Sequence, residues 1–450
     1  MIMPTDTIDM RDALGIARAV RAGRLSAVAV AQHALDDIAA RHAQFNAIST
    51  CFDTRALDAA ARIDACVRAG REVGPLAGVP FAVKSNFDVA GYTTVAGSPT
   101  RLREPAARCD AAMVARLVQA GAVPVAATHM DEFACGATGV NPHFGAVRLP
   151  ADTARMTGGS SSGSAAAVAA GHVSLALGSD TNGSIRAPAA LCGVWGIKPT
   201  HGRLSMDGCV PYATSLDVAG GFATNLDDLC ALYDALSCAN SGDISTGHAP
   251  LRVCVLTGEF ERRADAQVRR AVERAAARFA QQDHVQAEPM DESVLGPIRA
   301  SARIVSNFEV ARRHRALLDA DASLVSAHLR ERIRLGLDIA DAAYVDALAH
   351  RAEWQARLAA LFERFDILIA PATPYVAPRF SDATVDVNGE ALDPKATLGM
   401  FTQPISFAGL PVVSAPCHAA GELPAGVQLI GRPGDERRCL DAGRRLVGPG

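Results

Sequence analysis

The sequence contains very little lysine. Only Lys84, Lys198 and Lys395 are present, although lysine and arginine together number 44, so nearly all of the positive charge is carried by arginine. Acidic residues number 48, and the formal net charge at pH 7 is −4. This balance disfavours the basic surface that binding to nucleic acid or to an anionic membrane requires. Because lysine is so rare, a lysine inside an apolar segment becomes a candidate for a specific role.

Several other patterns are missing. None of the eleven cysteines belongs to a C-x-x-C pair, and the histidines do not cluster at metal-ligand spacing, which disfavours zinc and other metal sites. No apolar run reaches the length of about 18 residues that a membrane span needs. The N-terminus lacks the basic and then apolar segments of a secretory signal. We therefore expect free thiols in a reducing cytoplasm, with no membrane, nucleic acid or metal involved.

Hydrophobic periodicity predicts many helices and strands within the 450 residues. At the N-terminus, residues 8–42 read as helix with a break at Gly23 and a restart at Ser26. Further helices are predicted at 56–70, 110–121, 225–236 and 265–281, with nearly continuous, arginine-rich helix at 300–364. Strands are predicted at 78–84, 122–127, 173–178 and 251–256, and in FDILIAPATPYVAP, SFAGLPVVSAPC and GVQLIG. The Gly/Ser-rich residues 237–250 are typical of a surface linker.

The most distinctive stretch, residues 156–203, contains two loops rich in glycine and serine. The first, Gly158–Ser162, enters a helix-forming run, and the second, Asp180–Ser184, follows a short apolar strand. A helix of about ten residues spans roughly 15 Å, and a strand of about six residues returns over roughly 20 Å. The chain should therefore come back to its starting level, so that Ser184 faces Ser160. Two serines that meet between glycine-rich loops are typical of a catalytic site.

The first loop and Lys84 each allow more than one interpretation. A glycine-rich loop at a helix N-terminus can hold an anion, but this one lacks the lysine of a phosphate-binding loop and the glycine spacing of a dinucleotide fold. The G-x-S-x-G pattern of nucleophile-elbow hydrolases is also absent. Lys84 ends the apolar run GVPFAVK, where it either reaches towards solvent or stays buried as a neutral base. A Ser–Ser–Lys arrangement of Lys84, Ser160 and Ser184 remains.

Five segments resemble those of a known family. GGSSSGSAAAVAAG, followed by GSDTNGSIRAPAALCGVWGIKPTHGR, resembles the signature of the amidase signature family. PLAGVPFAVKSNFDVAG is similar to the segment that carries the catalytic lysine of that family, and SLDVAGGFA, FDILIAPATP and LPAGVQLIGRPGDE resemble its later segments. Ser162 and Asn182 stand where the family usually has glycine. Because asparagine tolerates positive φ, Asn182 is expected to preserve its loop and to narrow the pocket.

The resemblance implies an α/β fold with a mixed β-sheet of about eleven strands, flanked by helices on both sides. It also implies a single amidase domain over residues 1–450, with no cofactor. Within that domain we expect N-terminal helices at 1–70, a catalytic core at 71–236, a variable and mostly helical region at 237–365, and C-terminal strands that complete the core at 366–450.

Residue by residue, the resemblance implies that Ser184 is the nucleophile, that Ser160 is a bridging serine in a cis peptide, and that Lys84 is the base. A serine hydroxyl is a poor nucleophile until a base removes its proton. Lysine can act as that base only when neutral, so its pKa must fall from about 10.4 towards about 7. Such a shift corresponds to roughly 4 kcal/mol, which burial can supply.

The same resemblance implies supporting roles around the second loop. Backbone N–H groups would form an oxyanion hole, with Thr181, Asn182, Gly183 and Ser184 as the donors. Asp180 and Arg186 flank this loop and are expected to brace it through a salt bridge.

The segments MDEFACGATGVNPHFG, RMTGGSSSGS and GSDTNGSIR are similar to the branch of the family that contains 1-carboxybiuret hydrolases. That branch cleaves the terminal amide of a small, anionic, urea-like substrate and releases ammonia. Ala137 and Val140 depart from its pattern. The first of these segments either lines a pocket or only connects a strand to the core loop. Candidate substrate contacts are Phe133, Cys135 and Thr138 from this segment, and Arg332 and Arg334 from the arginine-rich helical region.

Alternative functions are the glutamine-hydrolysing component of a glutamyl-tRNA amidotransferase, which shares MDEF, and another small-amide amidase. A non-catalytic binding module on the same fold is disfavoured because all three catalytic positions are intact. Both enzyme branches associate with small helical subunits, so the resemblance implies a possible small helical partner in a hetero-oligomer.

Overall fold

Short runs of buried apolar residues form the strands. The structure, a computed structural model, describes residues 8–238 and 249–447. The strands in these residues are β1 (Ile48–Cys51), β2 (Pro80–Lys84), β3 (Val123–Thr128), β4 (Val140–Asn141), β5 (Gly145–Ala146), β6 (Arg148–Leu149), β7 (Asp152–Met156), β8 (Leu175–Asp180), β9 (Trp195–Lys198), β10 (Val218–Ala223), β11 (Arg252–Gly258), β12 (His284–Met290), β13 (Ile367–Pro371), β14 (Val385–Val387), β15 (Glu390–Leu392), β16 (Val412–Pro416) and β17 (Gly426–Ile430).

Amphipathic segments form the helices between the strands. The α-helices of the described residues are α1 (Ala13–Arg21), α2 (Ala27–Phe45), α3 (Asp53–Arg68), α4 (Ala112–Gln119), α5 (Ser162–Ala170), α6 (Arg186–Cys192), α7 (Leu226–Ser237), α8 (Glu259–Arg262), α9 (Ala266–Phe279), α10 (Glu292–His314), α11 (Ala327–Leu337), α12 (Asp341–Arg364), α13 (Pro394–Thr397), α14 (Gln403–Ala408) and α15 (Glu436–Val447). None of these helices is both long enough and apolar enough to cross a membrane.

Eleven strands form one mixed sheet, in the order β1-β3-β2-β8-β10-β9-β16-β17-β13-β11-β12. Parallel pairing joins β3, β2 and β8 at one side and β13, β11 and β12 at the other, and the strands between them pair antiparallel. Every residue of β2, β8, β10, β13 and β17 is buried. Because successive side chains of a strand point to opposite faces, helices must cover both faces of the sheet, as the resemblance implied.

Local sequence signals account for several helix ends. Helix α1 ends just before Gly23, which has φ 65°, and α2 begins after Ser26, whose side chain accepts a hydrogen bond from the Ala29 N–H. Helix α5 ends at Gly171 in the left-handed conformation. These positions agree with the predicted break, restart and stop, because glycine adopts positive φ at little cost and serine satisfies a free N–H at a helix start.

Three sequence predictions need correction. The helical region at 300–364 is divided into α10, α11 and α12, because the Ser326 side chain caps a new helix by accepting from the Leu329 N–H. SFAGLPVVSAPC is not one strand: its first residues end α14, Gly409 terminates that helix at φ 78°, and β16 starts later. Strand β8 begins two residues later than predicted. Of the predicted linker, residues 239–248 lie outside the described part of the chain.

Helices α10 and α11 approach each other closely at Gly336. A Cβ atom at this position would lie 1.9 Å from the carbonyl oxygen of Asn307 and 2.6 Å from the Cβ of Ala311. No side chain fits at such distances without separating the two helices. The relative position of α10 and α11 therefore depends on glycine at position 336.

We predict that Gly336→Ala lowers the free energy of unfolding by about 1–3 kcal/mol, because overpacking forces backbone shifts. Urea denaturation measures the change. Gly296→Ala is the matched control on α10, since its Cβ would meet only the carboxylate end of the Glu292 side chain, at 2.8 Å. The control should be neutral or stabilising by up to about 1 kcal/mol. Equal losses for the two variants would contradict the proposed close contact.

Candidate active site

Lys84 is the last residue of β2 and is completely buried. Its Nζ lies 2.8 Å from Oγ of Ser160, 2.9 Å from Oγ of Ser179 and 3.4 Å from the carbonyl oxygen of Ser179. Burial lowers the pKa of Lys84 to about 8, although nearby acidic groups oppose this shift. The lysine therefore does not reach solvent, and its contacts are with neutral oxygens.

The two glycine- and serine-rich loops meet, as their spacing predicts. The peptide bond between Gly159 and Ser160 is cis. The N–H of Ser161 donates to the carbonyl oxygen of Ser184 at 3.3 Å, which joins the start of α5 to the loop after β8. The hydroxyl of Ser161 also donates to the carbonyl oxygen of Ser179 at 3.0 Å. Lys84 and both loops thus belong to one buried cluster.

A buried ion pair organises the loop that carries Ser184. The Arg186 guanidinium contacts the Asp180 carboxylate at 2.9 and 3.0 Å, and the same carboxylate accepts the N–H groups of Gly183 and Ile185. Burial opposes ionisation of Asp180, but Arg186 lowers the pKa of this carboxyl to about 2. The structure therefore contains the salt bridge expected between Asp180 and Arg186, and this salt bridge fixes the backbone of the loop.

The contacts of Asp180 correct one part of the expected oxyanion hole. The N–H of Gly183 is already used, because it donates to Oδ1 of Asp180 at 2.9 Å. The N–H groups of Thr181, Asn182 and Ser184 form no hydrogen bond with any described residue. Three of the four expected donors are therefore available.

The same loop shows where glycine is required. The positive φ of this segment occurs at Gly183, at 133°, and not at Asn182. A Cβ at Gly183 would lie 2.0 Å from Oγ1 of Thr402, whereas the Asn182 side chain lines the adjoining cavity. Asparagine is thus accommodated without a left-handed conformation, and its side chain occupies part of the cavity wall, as expected.

A cavity of about 350 Å³ opens beside Ser184. Thr181 and Asn182 line it on the loop side, and Cys135 and Tyr212 contribute to another wall. Its cationic or titratable lining residues are Arg263, Arg299, Arg303, His328, Arg332 and Lys395. None of its lining residues in the described part of the chain is acidic. The cavity therefore favours anions.

Only part of the predicted substrate contacts line this cavity. Cys135 and Arg332 do, but Phe133 lines a different cavity, where its ring lies 4.9 Å from that of His314. Thr138 is buried beside Asp131, to which its N–H donates. Arg334 is exposed outside the cavity, because two residues along a helix correspond to a turn of about 200° from Arg332.

Helix α10 supplies a cavity wall that the sequence interpretation missed. Arg299, Arg303, Ser306 and Asn307 line the cavity at spacings of four, three and one residues, which place them on one helix face. This spacing is visible in the sequence and could have singled out Arg303 within the arginine-rich region. The contacts of Lys84 with Ser179 had no comparable sequence signal.

The cavity arginines differ in their partners. Arg299 pairs with Glu292, and Arg263 pairs with Glu259. Arg303 and Arg332 form neither an ion pair nor a side-chain hydrogen bond with any described residue. Partial burial and the neighbouring guanidinium groups of Arg299 and Arg332 lower the pKa of Arg303. An anion in the cavity would relieve this repulsion.

Lys198 is a second buried lysine near the site. Burial lowers the pKa of Lys198 to about 7, yet its Nζ donates only to the adjacent carbonyl oxygen of Pro199, at 2.9 Å. A lowered pKa alone therefore does not identify a base. What distinguishes Lys84 is its contact with Ser160.

Comparison with known proteins relates this chain to amide-cleaving enzymes. A family model described as Amidase matches residues 29–440. AtzE, the 1-carboxybiuret hydrolase subunit of Pseudomonas sp. (strain ADP), is 41% identical over 97% of this chain and 98% of its own length. The glutamyl-tRNA(Gln) amidotransferase component GatA-type chain of Symbiobacterium thermophilum is 34% identical over 96% and 95%, respectively. A solved structure, described as a vestigial protein complex that reveals the origins of an s-triazine catabolic enzyme, has a TM-score of 0.90 at 40% identity and covers 97% of both chains.

Proposed function

This chain belongs to the amidase signature family of amide hydrolases, and we propose that it cleaves the terminal amide of a small, anionic, urea-like substrate and releases ammonia. We favour 1-carboxybiuret as that substrate. The observation that carries the proposal is the position of Ser184 beside an arginine-lined cavity, next to the Lys84–Ser160 contact. Ammonia release from 1-carboxybiuret, biuret, glutamine and simple amides tests it, and the highest kcat/KM should belong to 1-carboxybiuret.

The three contacts of Lys84 match the groups of a neutral amine. A neutral amine has two N–H groups and one lone pair, whereas an ammonium has three N–H groups and no acceptor. The two N–H groups can be donated to Oγ and the carbonyl oxygen of Ser179, which leaves the lone pair to accept the Ser160 hydroxyl. The Nδ2 of Asn86 donates to Oγ of Ser179 at 3.1 Å and keeps that hydroxyl in place. This arrangement supports Lys84 as the base.

In the proposed reaction, Ser184 attacks the amide carbonyl carbon. As the new C–O bond forms, the Ser184 proton passes to Ser160 and the Ser160 proton passes to Lys84. Negative charge develops on the carbonyl oxygen, where the free N–H groups of Thr181, Asn182 and Ser184 would stabilise it. The proton held by Lys84 then returns through Ser160 to the leaving nitrogen. Ammonia departs, and water hydrolyses the acyl-enzyme by the same groups.

The charge of the cavity supports an anionic substrate. Arg303 and Arg332 have no acidic partner among the described residues, and a guanidinium group can hold a carboxylate through two hydrogen bonds. Glutamine, the alternative substrate, carries an ammonium group as well as a carboxylate. Since the described lining residues include no aspartate or glutamate, the cavity offers no counter-charge for that ammonium. We therefore favour a substrate without one.

We further propose a single amidase domain over residues 1–450 that associates with a small helical partner subunit. The extent of the family match supports the first part, and the similarity to a chain from a vestigial protein complex supports the second. All eleven cysteines lie in the described residues and none forms a disulfide, which supports a reducing, cytoplasmic location. Copurification of the tagged chain from its native host tests the partner.

We predict that Ser184→Ala reduces kcat by more than about a thousandfold, since loss of a serine nucleophile typically costs far more than this. Ser162→Ala is the matched control, because the Ser162 hydroxyl is buried and has no hydrogen-bond partner in the described residues. A serine-directed fluorophosphonate should label the wild type and Ser162→Ala but not Ser184→Ala. Labelling of Ser184→Ala at the wild-type rate would rule out Ser184 as the nucleophile, and no labelling of the wild type would favour a non-catalytic module.

We predict an acid limb in the pH profile of kcat/KM with an apparent pKa of about 8, the pKa that burial gives Lys84. Only neutral Lys84 accepts a proton, so the rate should rise with pH up to this value and fall about tenfold per unit below it. Lys84→Ala should lose acylation. Lys198→Met is the control: it removes the other buried lysine and should leave the acid limb in place. An acid limb that moves with Lys198 instead would contradict the assignment.

We predict that Arg303→Gln and Arg332→Gln raise KM for 1-carboxybiuret by roughly tenfold to a hundredfold, the usual value of a hydrogen bond to a charged group. KM for neutral biuret should change much less. Arg334→Gln is the control, because Arg334 is exposed outside the cavity. Steady-state kinetics on both substrates provide the measurement, and equal effects on the charged and the neutral substrate would show that these arginines do not bind the carboxylate.

A further inference from the structure

Asp131 is a buried carboxyl group that connects the Ser160 loop to the segment after β3. Its N–H donates to the carbonyl oxygen of Ser160 at 3.3 Å. Its Oδ2 accepts the N–H groups of Thr138 and Gly139, both at 3.3 Å. One side chain therefore ties the turn at 138–139 to a residue whose own N–H holds the main chain of Ser160.

Two glycines allow the chain to close around this carboxyl group. A Cβ at Gly159 would lie 2.5 Å from Oδ1 of Asp131, and a Cβ at Gly136 would lie 2.1 Å from Oδ2. Gly159 immediately precedes Ser160, so Oδ1 faces the backbone that carries the hydroxyl in contact with Lys84. Within the described residues, Oδ1 has no hydrogen-bond partner. The carboxylate is therefore not neutralised by direct contacts on that side.

The charge of Asp131 acts on Lys84. Burial raises the pKa of Asp131 to about 6, while Lys84 and the backbone N–H groups lower it. At pH 7 and above the carboxyl group is therefore mostly ionised. No arginine or lysine in the described residues forms a salt bridge with Asp131, so Lys84 is the cation that responds to its charge.

We propose that Asp131 is a positioning residue for the proton transfer: it holds the main chain of Ser160, and its buried carboxylate stabilises Lys84 once the lysine has accepted a proton. This inference rests on the proposed role of Lys84 as the base. It adds a fourth group to the proposed proton path, on the side of the Ser160 loop opposite the substrate cavity, since Asp131 does not line that cavity.

Other titratable groups also act on this pair, and the test must separate Asp131 from them. Those that influence Lys84 are Cys209, Asp180 and Asp217. Asp180 is committed to Arg186, and Asp217 accepts hydrogen bonds from Oγ1 of Thr181 and the N–H of Tyr212. On the segment of Asp131 itself, Glu132 accepts from the Ser98 hydroxyl, and the Cys135 thiol stays neutral because burial raises its pKa to about 12.

The experiment compares pH profiles of kcat/KM for the wild type, Asp131→Asn and Asp131→Glu. Removal of the negative charge makes Lys84 easier to deprotonate, so Asp131→Asn should move the acid limb to lower pH by about 0.5 unit or more. Its plateau rate should also fall about tenfold or more, because protonated Lys84 loses a stabilising charge in the transition state. Asp131→Glu restores the charge and should return the acid limb to the wild-type pH.

Asp228→Asn is the matched control. Asp228 is as deeply buried as Asp131 and also accepts two backbone N–H groups, those of Ala13 and Leu14. It has no part in the Lys84 cluster. This variant should lose stability to a similar extent without any shift of the acid limb, which separates an effect on Lys84 from loss of a buried hydrogen-bonded carboxyl group.

An acid limb of Asp131→Asn at the wild-type pH would overturn the inference while leaving Lys84 as the base. A wild-type profile without an acid limb that depends on Lys84 would instead overturn the proposed function. If Asp131→Asn does not fold, Lys84→Met provides the reciprocal test, because coupling acts equally in both directions. Infrared difference spectra should then show the Asp131 carboxyl protonated to higher pH than in the wild type, and an unchanged titration would refute the coupling.

Discussion

The removal of the Lys84 amine from water is the constraint on which the rest of the site depends. Burial destabilises a charged amine, so an environment without a contacting carboxylate shifts it towards the neutral form. The atoms within hydrogen-bond reach of Nζ are two hydroxyl oxygens and one carbonyl oxygen. The fold achieves this by ending a fully buried strand at the lysine and by bringing the Ser160 loop and β8 against it.

Arg186 is a buried cation that the same region treats in the opposite way. Its guanidinium group contacts the Asp180 carboxylate and also donates to the carbonyl oxygen of Thr402 and to Oε1 of Gln428. Loss of one member of such a buried pair typically costs about 3–5 kcal/mol, because the remaining charge is left uncompensated. The residue that must stay charged is thus given a carboxylate in contact, whereas the residue that must lose its proton is given hydroxyl and carbonyl oxygens.

The features that the sequence predicted correctly depend on local preferences or on the family resemblance. The break near Gly23, the stop at Gly171 and the meeting of the two loops follow from glycine conformation and element length. The eleven-stranded sheet came from the resemblance, since pairing between distant strands has no local signal. The cavity wall was only partly predicted, because it depends on how α10 and α11 pack at Gly336. The use of the Gly183 N–H by Asp180 likewise required atomic positions.

The elements that carry the proposed reaction are separate from those that set the charge of the cavity. Lys84, Ser160 and Ser184 lie on the central strands and their loops, whereas Arg303 and Arg332 lie on two helices that pack against each other. A substitution on the cavity side of these helices can therefore change the charge offered to a substrate without moving the buried lysine or its hydrogen bonds. Because function resides in sites carried by a fold, relatives can keep one hydrolytic cluster and differ in the amide they cleave. The charge that α10 and α11 present to the cavity, more than the serine loops, is where substrate preference in this chain has its physical basis.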